Sequence, residues 1–384
     1  MGQLYLFRLG KNPELSIAEV VSLLRMGSAG FSIRHYSEEI MLLELERRPP
    51  LLERLGGTLK VAEVIDTFDG GIGDIDTAKY FPDARQSVVF GVSAYGDNAG
   101  QNSQAVSGMV KDKLKSERVR TSHIHSPLEL EHGKIARKKI SEIIAFENDG
   151  RIYLARTIFV HDPFEFRKRD MKKPHQRHEL AIPPRLARIM INLAGKRSGV
   201  LLDPFCGVGS ILQEAGLMGY QLKGLDRNSN RIPECRGNLE WLKKEYKIGL
   251  SHRVICGDAL RMGQYVEPGT VDLIVTEPYL GPSLRKTPHS AKAFKIISIL
   301  KPMYEEALKG MFQALKKGGR VCIVSPRFHS KERPTRLGME NLAENAGFSV
   351  IDPLKGTSIG HERPLLDFTE RHRLIREIHV FGKD

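Results

Sequence analysis

The C-terminal half of the chain alternates short apolar runs with longer amphipathic segments. The apolar runs predict buried strands, at VLLDPF, QLKGLD, HRVICGDA, VDLIVTEP and GGRVCIVSP. The segments between them predict helices, at PPRLARIMINLAG, SILQEAGLMG, NSNRIPECRGNLEWLKKEY and AFKIISILKPMYEEALKGMFQALKKG. This alternation predicts an α/β domain with a doubly wound, mostly parallel sheet that is covered by helices on both faces.

The first 165 residues predict α+β structure in two small units. In the first unit, strands are predicted at LYLFRL, FSIRHY and EIMLLELE, and a helix capped by Ser16 is predicted in KNPELSIAEVVSLLRM. In the second unit, strands at SVVFGVSAYG and RIYLARTIFV flank a helix at 103–114. We therefore predict domains at 1–80, 81–165 and 181–384. Residues 166–180, which are basic and punctuated by proline, are predicted to be a linker or an RNA-facing strap.

The net charge of +13 is unevenly distributed over the 384 residues. Residues 1–110 carry −4, residues 111–198 carry +10 and residues 199–384 carry +7. A concentrated basic segment favours a polyanionic partner such as nucleic acid over a merely solvated face.

Membrane and metal sites are not expected. No apolar run reaches the roughly 18 residues that span a bilayer, and the N-terminus lacks a signal peptide, which predicts a cytoplasmic protein. The four cysteines form no CxxC pair, so we predict neither a metal site nor a disulfide framework.

A glycine-containing turn, DPFCGVGS, joins the first predicted strand of the C-terminal domain to its helix. Gly207 and Gly209 would let a ligand approach the backbone at the helix N-terminus. Leu212 stands where the dinucleotide fingerprint needs glycine or alanine, and the P-loop GK[ST] is absent. The turn therefore argues against NAD, FAD and a P-loop nucleotide.

Acidic residues occur at four successive strand ends: Asp203, Asp226, Asp258 and Glu277. A single aspartate at such a place is more often a turn or cap residue, but ligands bind at the carboxyl ends of strands in an open α/β sheet. Asp226 is placed to bind ribose hydroxyls, and Asp258 to accept a hydrogen bond from an adenine amine. Together with the absent dinucleotide fingerprint, these acids predict S-adenosylmethionine as cofactor.

These motifs resemble those of class I amino-methyltransferases, whose catalytic loop is of the [DN]PPY type. PPRLARIMINLAG, YLFRLGKNPELSIAEV, SVVFGVSAYG and RHRLIREIHVFGK are similar to tRNA guanosine-N2 methyltransferases that carry N-terminal ferredoxin-like and THUMP domains. The most similar family methylates guanosine at position 10 of tRNA. The resemblance implies tRNA as partner and the following cofactor-binding residues: Asp203, Phe205, Cys206, Gly207, Gly209, Asp226, Arg227, Asp258 and Ala259.

The catalytic loop departs from the family pattern. The family has Asp-Pro-Pro-Tyr-Gly after a threonine, whereas this chain has Glu277-Pro278-Tyr279-Leu280-Gly281. The Glu277 carboxylate and the Pro278 carbonyl are predicted to accept the two N–H groups of a base amine, and Tyr279 to stack on the flipped base. Glu277 is also predicted to stabilise the cationic amine and to take its departing proton. Because Glu is one methylene longer than Asp, the loop must be set back, or the target atom differs.

Contacts with RNA are predicted on both sides of this loop. The predicted residues are Arg167, Lys168, Arg169, Lys172 and Lys173 in the strap, and Arg285 and Lys286 after the loop.

Two other functions remain open at this stage. One is methylation of another base amine, in ribosomal RNA guanine or at adenine N6, which the altered loop allows. The other is a catalytically inactive tRNA-binding THUMP protein, against which the intact acids and glycines argue.

Overall fold

The computed structural model describes residues 2–83, 86–176, 182–284, 286–329, 334–368 and 374–384. Its contacts divide the chain into two compact units. Unit 1 comprises Met1–Pro13, Ser28–Glu53 and Thr58–Glu165, and unit 2 comprises Glu14–Gly27, Arg54–Gly57 and Phe166–Asp384. Among the described residues, no helix is both long and apolar enough to cross a membrane.

The strands of unit 1 are β1 (Gln3–Leu9), β2 (Phe31–Tyr36), β3 (Ile40–Leu45), β4 (Thr58–Asp69), β5 (Ser87–Gly96), β6 (Arg120–His123), β7 (Ser141–Asn148) and β8 (Arg151–Val160). The first 171 residues also form the helices α1 (Pro13–Met26), α2 (Thr77–Tyr80), α3 (Ala99–Ser116), α4 (His132–Lys138) and α5 (Pro163–Met171). Of these, α1 from Glu14 and α5 from Phe166 belong to unit 2. A short 3₁₀ turn lies at Leu52–Arg54.

The strands of unit 1 form one mixed sheet in the order β2-β3-β1-β4-β8-β7-β5-β6. Strands β4 and β8 pair antiparallel from Lys60↔Val160 to Asp69↔Arg151, so strands from the predicted domains 1–80 and 81–165 share this sheet. On α3, Val106, Val110 and Leu114 recur at four-residue spacing and pack into a buried cluster with residues of β5 and β7. The domain boundary near residue 80 stays a prediction.

Besides the short strand β6, the sequence interpretation misses two longer strands of unit 1, β4 and β7. Each carries a fully buried charge, Lys60 and Glu142, and the Lys60 ammonium donates to the Glu142 carboxylate at 2.6 Å. A buried ion pair places charged residues at core positions, which disguises the alternation of apolar and polar residues that normally predicts a strand.

One other predicted feature of the N-terminal half, the capping of α1 by Ser16, is wrong, whereas the linker at 166–180 stays a prediction although its first part is helical. Helix α1 begins at Pro13, a favoured first helical position, while Ser16 lies inside the helix and donates to the Gly57 carbonyl at 3.0 Å. Part of the predicted linker is helix α5, because the Asp162 carboxylate accepts the Phe164 N–H at 2.8 Å and so caps its first turn.

The strands of unit 2 are β9 (Val200–Asp203), β10 (Gln221–Asp226), β11 (His252–Cys256), β12 (Val271–Thr276), β13 (Leu315–Phe328), β14 (Thr335–Arg336), β15 (Ser349–Ile351), β16 (Leu365–Asp367) and β17 (Leu374–Gly382). Its further helices are α6 (Pro184–Leu193), α7 (Ser210–Leu217), α8 (Arg231–Tyr246), α9 (Ser290–Ala314) and α10 (Met339–Asn345). A 3₁₀ segment spans Ala259–Gln264.

The sheet of unit 2 has the order β11-β10-β9-β12-β13-β17-β15. Strands β9 to β13 pair parallel with one another, whereas β17 is antiparallel to both β13 and β15. The predicted doubly wound, mostly parallel sheet is thereby confirmed. The strand order reverses between β9 and β12, and such a switch point opens a crevice at the carboxyl ends of the strands.

A buried ionic cluster in unit 2 contains one of the residues that were predicted to bind RNA. The Glu214 carboxylate, which has no exposed side-chain surface, pairs with the guanidinium groups of Arg169 and Arg188. Arg188 Nε lies 2.8 Å from Glu214 Oε2, and Arg169 Nη2 lies 3.3 Å from the same atom. Arg169 therefore links α5 to α7 inside the protein rather than facing RNA.

We expect Glu214→Gln to lower the free energy of unfolding of unit 2 by about 3–5 kcal/mol, because two buried cations lose their carboxylate. The only tryptophan, Trp241, lies in α8, so its fluorescence during urea titration reports on this unit. Glu306→Gln, which alters an exposed pair with Lys309 on α9, is the control and should change stability by less than about 0.5 kcal/mol. Equal stability of the Glu214 variant and the wild type would contradict the role of the cluster.

Candidate active site

A cavity of about 710 Å³ lies at the carboxyl ends of β9, β10 and β12 in unit 2. All the predicted catalytic residues line it, namely Glu277, Pro278 and Tyr279. So do all the predicted cofactor residues except Gly209: Asp203, Phe205, Cys206, Gly207, Asp226, Arg227, Asp258 and Ala259. The fold thus brings together residues that span 76 positions of the sequence between Asp203 and Tyr279.

Asp203 ends β9 and is almost completely buried, at 2% exposure. The Thr276 hydroxyl, at the end of β12, donates to Asp203 Oδ1 at 2.6 Å, and the Phe205 N–H donates to the same atom at 3.1 Å. Burial raises the pKa of Asp203 to about 7, although these two hydrogen bonds act in the opposite direction. The nearby charges of Asp226 and Glu277 add to the rise.

The turn after β9 is shaped by its glycines. Gly207 has φ +50°, and a side chain built there would meet no atom within 4 Å, so its backbone faces open space in the cavity. Gly209 precedes α7 with φ +87°, and a Cβ there would come within 2.7 Å of the Cys235 sulfur. Gly209 therefore supports the turn by packing on α8, behind the cavity wall.

The acids of the neighbouring strands hold the turns that frame the cavity. Asp226 accepts the Gly207 N–H and the Asn228 N–H, each at 2.9 Å, and so ties the end of β10 to the glycine turn. Asp258 accepts the Leu260 N–H at 3.0 Å and caps the 3₁₀ segment. Each ionised carboxylate has about four acceptor positions, so both can also accept hydrogen bonds from a ligand.

Cys206 lines the cavity but is not equipped as a nucleophile. A hydrogen bond with Cys235 and burial both raise the pKa of the Cys206 thiol well above its ordinary value. The reactive form of cysteine is the thiolate, so this environment favours a packing role for Cys206.

The loop after β12 carries the predicted catalytic residues. Pro278 is buried, whereas the Tyr279 side chain is 52% exposed and so is not a core-packing aromatic. The Tyr304 hydroxyl on α9 lies 3.4 Å from the Tyr279 carbonyl. Gly281 has φ +103°, and a Cβ there would lie 3.0 Å from the Ile296 side chain, so the loop can pack this closely on α9 only with glycine.

Arg376 of β17 also lines the cavity, although the sequence interpretation assigned it no role. Its Nε donates to Glu277 Oε2 at 2.6 Å, and its Nη2 lies 3.4 Å from Glu277 Oε1. Burial would lower the pKa of Arg376, but the charge and hydrogen bonds of Glu277, with a contribution from Asp367, raise it above its ordinary value. An arginine inside the otherwise largely apolar strand LIREIHVFG is the sequence signal that could have drawn attention to it.

Comparisons with known proteins agree with this geometry. Residues 172–346 match the family described as "RMKL-like, methyltransferase domain", and residues 104–235 match a family described as "DNA methylase". The tRNA (guanine(10)-N2)-dimethyltransferase of Methanothermobacter thermautotrophicus is 28% identical over 83% of this chain and 87% of its own. A probable tRNA (guanine(10)-N2)-dimethyltransferase of Methanothermococcus thermolithotrophicus is 31% identical over 37% of this chain and 80% of its own.

The chain belongs to the family of the tRNA (guanine(10)-N2)-dimethyltransferases.

A solved structure is consistent with the family's fold. TrmN from Thermus thermophilus superposes with a TM-score of 0.52 at 16% identity, covering 99% of this chain and all of the TrmN chain. The resemblance to class I amino-methyltransferases is thereby confirmed at the level of the family and the fold.

The methyl donor of this enzyme is S-adenosylmethionine, and the cavity fits it. The open space beside the Gly207 backbone leaves room for the ligand, and the carboxylates of Asp226 and Asp258 suit ribose hydroxyls and an adenine amine. The individual assignments of cofactor-binding residues stay predictions. Within the described residues, no group of three His, Cys, Asp or Glu side chains is arranged to hold a metal ion.

The predicted RNA-binding residues separate into three groups. Arg167, Lys172 and Lys286 are exposed. Lys168 is half-buried and pairs with the Glu245 carboxylate. Two residues of the strap are buried in protein contacts, Arg169 in the cluster described above and Lys173 with its ammonium 3.1 Å from the Ser210 hydroxyl.

Arg169 and Lys173 are therefore corrections to the set of RNA-binding residues, because burial makes them unavailable to a ligand outside the protein. Arg285 lies outside the described residues.

The raised pKa of Asp203 predicts how the free energy of unfolding of the cofactor-free protein depends on pH. Because the folded protein retains this proton up to about pH 7 and the unfolded chain loses it near 3.8, Asp203 makes the protein less stable as pH rises between these values. Asp203→Asn keeps an oxygen that can accept the Thr276 and Phe205 hydrogen bonds but removes the titration. Between pH 4.5 and 6.5, the wild-type free energy of unfolding should therefore fall more steeply than that of the variant, by up to about 1.4 kcal/mol per pH unit.

Urea titrations followed by Trp241 fluorescence at several pH values measure this difference in slope. Asp272→Asn is a control at the opposite end of the same sheet. Burial raises the pKa of Asp272, but the hydrogen bonds from Lys316 and the Val200 N–H, with the nearby lysine charges, together bring it below its ordinary value. Identical slopes for wild type and Asp203→Asn would rule out a titration of Asp203 in this range.

Proposed function

We propose that this enzyme transfers methyl groups from S-adenosylmethionine to the exocyclic N2 amine of a guanosine in tRNA, at position 10 as the names of its relatives state for those proteins. The observation that carries the proposal is the placement of Glu277, Pro278 and exposed Tyr279 on the same cavity as the predicted cofactor acids. A methyl acceptor with two N–H groups and an aromatic face matches that set of groups.

The chemistry of a base amine explains why this loop is needed. The lone pair of the guanine N2 amine is delocalised into the ring, so the amine is a weak nucleophile. If the Glu277 carboxylate and the Pro278 carbonyl each accept one N–H, the lone pair is directed away from them, toward the methyl donor. Bound S-adenosylmethionine supplies an electrophilic methyl group on a sulfonium. The negative charge of Glu277 then stabilises the amine as it becomes cationic.

Tyr279 is proposed to stack on the flipped guanine. A base in a folded RNA must leave its stack to enter a cavity at a sheet edge, and aromatic side chains commonly receive such bases. The exposure of Tyr279 at the cavity leaves its ring available for this contact.

The segment that follows the loop provides a surface for the RNA around the target base. Residues 281–304 contain five Lys or Arg and no Asp or Glu. In its described part, Lys286, Lys292 and Lys295 are exposed, and so is Phe294, at 66%. Cationic side chains beside an exposed aromatic ring suit the phosphates and bases of single-stranded RNA.

We further propose that residues 81–165 form a THUMP domain that helps to bind tRNA. Residues 111–198, which begin within this region, carry a net charge of +10, a distribution that favours a polyanion. In the proposed scheme, unit 1 binds the body of the tRNA, and unit 2 carries out methyl transfer, in the cytoplasm.

Methyl transfer to bulk tRNA is the direct test of the proposed function. The purified protein, incubated with labelled S-adenosylmethionine and unmodified tRNA, should yield labelled N2-methylguanosine or N2,N2-dimethylguanosine after digestion to nucleosides. Labelled N6-methyladenosine, or label only in a parallel incubation with ribosomal RNA, would favour another target amine. Retained tRNA binding without cofactor binding would identify a catalytically inactive tRNA-binding protein.

For Glu277→Gln we expect kcat to fall by about 10²–10³-fold, because the developing cation loses its carboxylate. Cofactor affinity, measured by calorimetry, should change by less than about threefold. Glu306→Gln on α9 serves as the control for losing one carboxylate. A kcat within twofold of the wild type would exclude the proposed role of Glu277.

The double variant Lys292→Gln/Lys295→Gln should weaken tRNA binding. If each lysine contacts a phosphate, the slope of the logarithm of the binding constant against the logarithm of the salt concentration should become shallower by about 1–2. The control is Lys309→Gln, on the same helix about 20 Å from Lys295. Binding measured at several salt concentrations by filter retention checks this expectation. An equal effect of the control would mean that only the overall charge of the protein matters.

A further inference from the structure

The proposed function does not explain why the acid of this loop is glutamate, whose side chain is longer than that of aspartate. The family pattern that the sequence resembles implies aspartate at this position, and glutamate carries the carboxylate one methylene further from the backbone. A displacement of about 1 Å can cost about a hundredfold in rate when groups must meet in a fixed geometry. A longer side chain at this position therefore needs a partner that fixes where its carboxylate lies.

Arg376 has the contacts of such a partner. Two of its guanidinium nitrogens, Nε and Nη2, face the two carboxylate oxygens of Glu277, at 2.6 and 3.4 Å. Because the guanidinium is planar and rigid, a paired contact of this kind fixes both the position and the orientation of a carboxylate. Both side chains are largely buried, with exposures of 11% for Glu277 and 17% for Arg376, so water competes little with the pair.

The backbone that carries Arg376 is held on both sides. Strand β17 pairs with β13 over nine residues, with Arg376 opposite Pro326, and β16 pairs with β17 with Asp367 opposite Arg376. The Asp367 carboxylate lies 3.6 Å from Arg376 Nη1, on a nitrogen that the Glu277 contacts do not use. The guanidinium is thus positioned by the sheet before it meets the loop.

The side chain of Arg376 also lies at the cavity. Leu374 and Arg376, two residues apart and hence on the same face of β17, both line the cavity with Glu277. Each carboxylate oxygen has two acceptor positions, so Glu277 can accept a substrate amine while it is bound by arginine.

We propose that Arg376 is a positioning residue that sets the location of the Glu277 carboxylate and makes glutamate, rather than aspartate, the length required in this chain. This inference rests on the proposed function, because its role is defined for methylation of a base amine. Arg376 acts through Glu277 and does not touch the reacting atoms. In this arrangement Glu277 serves as a hydrogen-bond acceptor and as a stabilising charge, and the departing proton passes to water instead of to Glu277, the proton acceptor expected from the sequence.

A double-mutant cycle on side-chain length tests the proposal. The variants are Glu277→Asp, Arg376→Met and the two combined, assayed with labelled S-adenosylmethionine and tRNA. With Arg376 present, Glu277→Asp should lower kcat by at least tenfold. In the Arg376→Met background, the same change should lower kcat by less than threefold. KM for tRNA and cofactor affinity should vary by less than about threefold throughout, which a general loss of structure would not allow.

Arg376→Lys provides the second measurement in case the methionine variant does not fold. Lysine keeps the charge but not the planar paired contact, so kcat should fall by at least tenfold while the Trp241 unfolding midpoint stays within a few tenths molar urea of wild type. Glu306→Gln on α9, an exposed carboxylate paired with Lys309, is the control and should reduce kcat by less than threefold.

The outcomes separate this inference from the proposed function. Suppose that the wild type methylates guanosine. If Glu277→Asp and Arg376→Met then lower kcat independently, or if Arg376→Lys is fully active, the role of Arg376 is overturned while the proposed function stands. If the wild type labels no base amine, the proposed function fails, and the role of Arg376 fails with it.

Discussion

The hydrogen bond from the Thr276 hydroxyl to the buried Asp203 carboxylate joins the ends of β9 and β12, between which the strand order of the sheet reverses. On one side of it, the chain turns through Gly207 toward the cofactor acids. On the other side, the next residue is Glu277. The residues predicted to bind the cofactor and those proposed to bind the acceptor are thus connected through adjacent strand ends, and a carboxyl group with a pKa near 7 lies between them.

Much of the site could be predicted from the sequence because its residues follow a local rule. Asp203, Asp226 and Glu277 each stand at or immediately after the end of an apolar strand, and parallel strands bring such ends to one edge. Arg376 follows no such rule, since it lies within a strand of opposite direction 99 residues from Glu277. Only the sheet order brings the two together.

Buried charge accounts for several of the predictions that were wrong or incomplete. Lys60 and Glu142 disguise two strands, and Arg169 was assigned to RNA although it pairs with Glu214 inside unit 2. From composition alone, a basic segment looks the same whether its side chains face solvent or a buried carboxylate. The residues proposed for RNA binding are therefore those that combine positive charge with exposure, among them Lys286, Lys292 and Lys295.

In the proposed function, the loop at Glu277 directs methyl transfer to the guanine N2 amine in tRNA. The most direct measurement is quantitative nucleoside analysis of tRNA from cells that lack this protein, compared with cells in which it is restored. We expect N2-methylated guanosine at position 10 to be lost on deletion and to return with the wild-type chain but not with the Glu277→Gln variant. Unchanged N2-methylguanosine, together with the loss of a methylated adenosine, would contradict the proposed function.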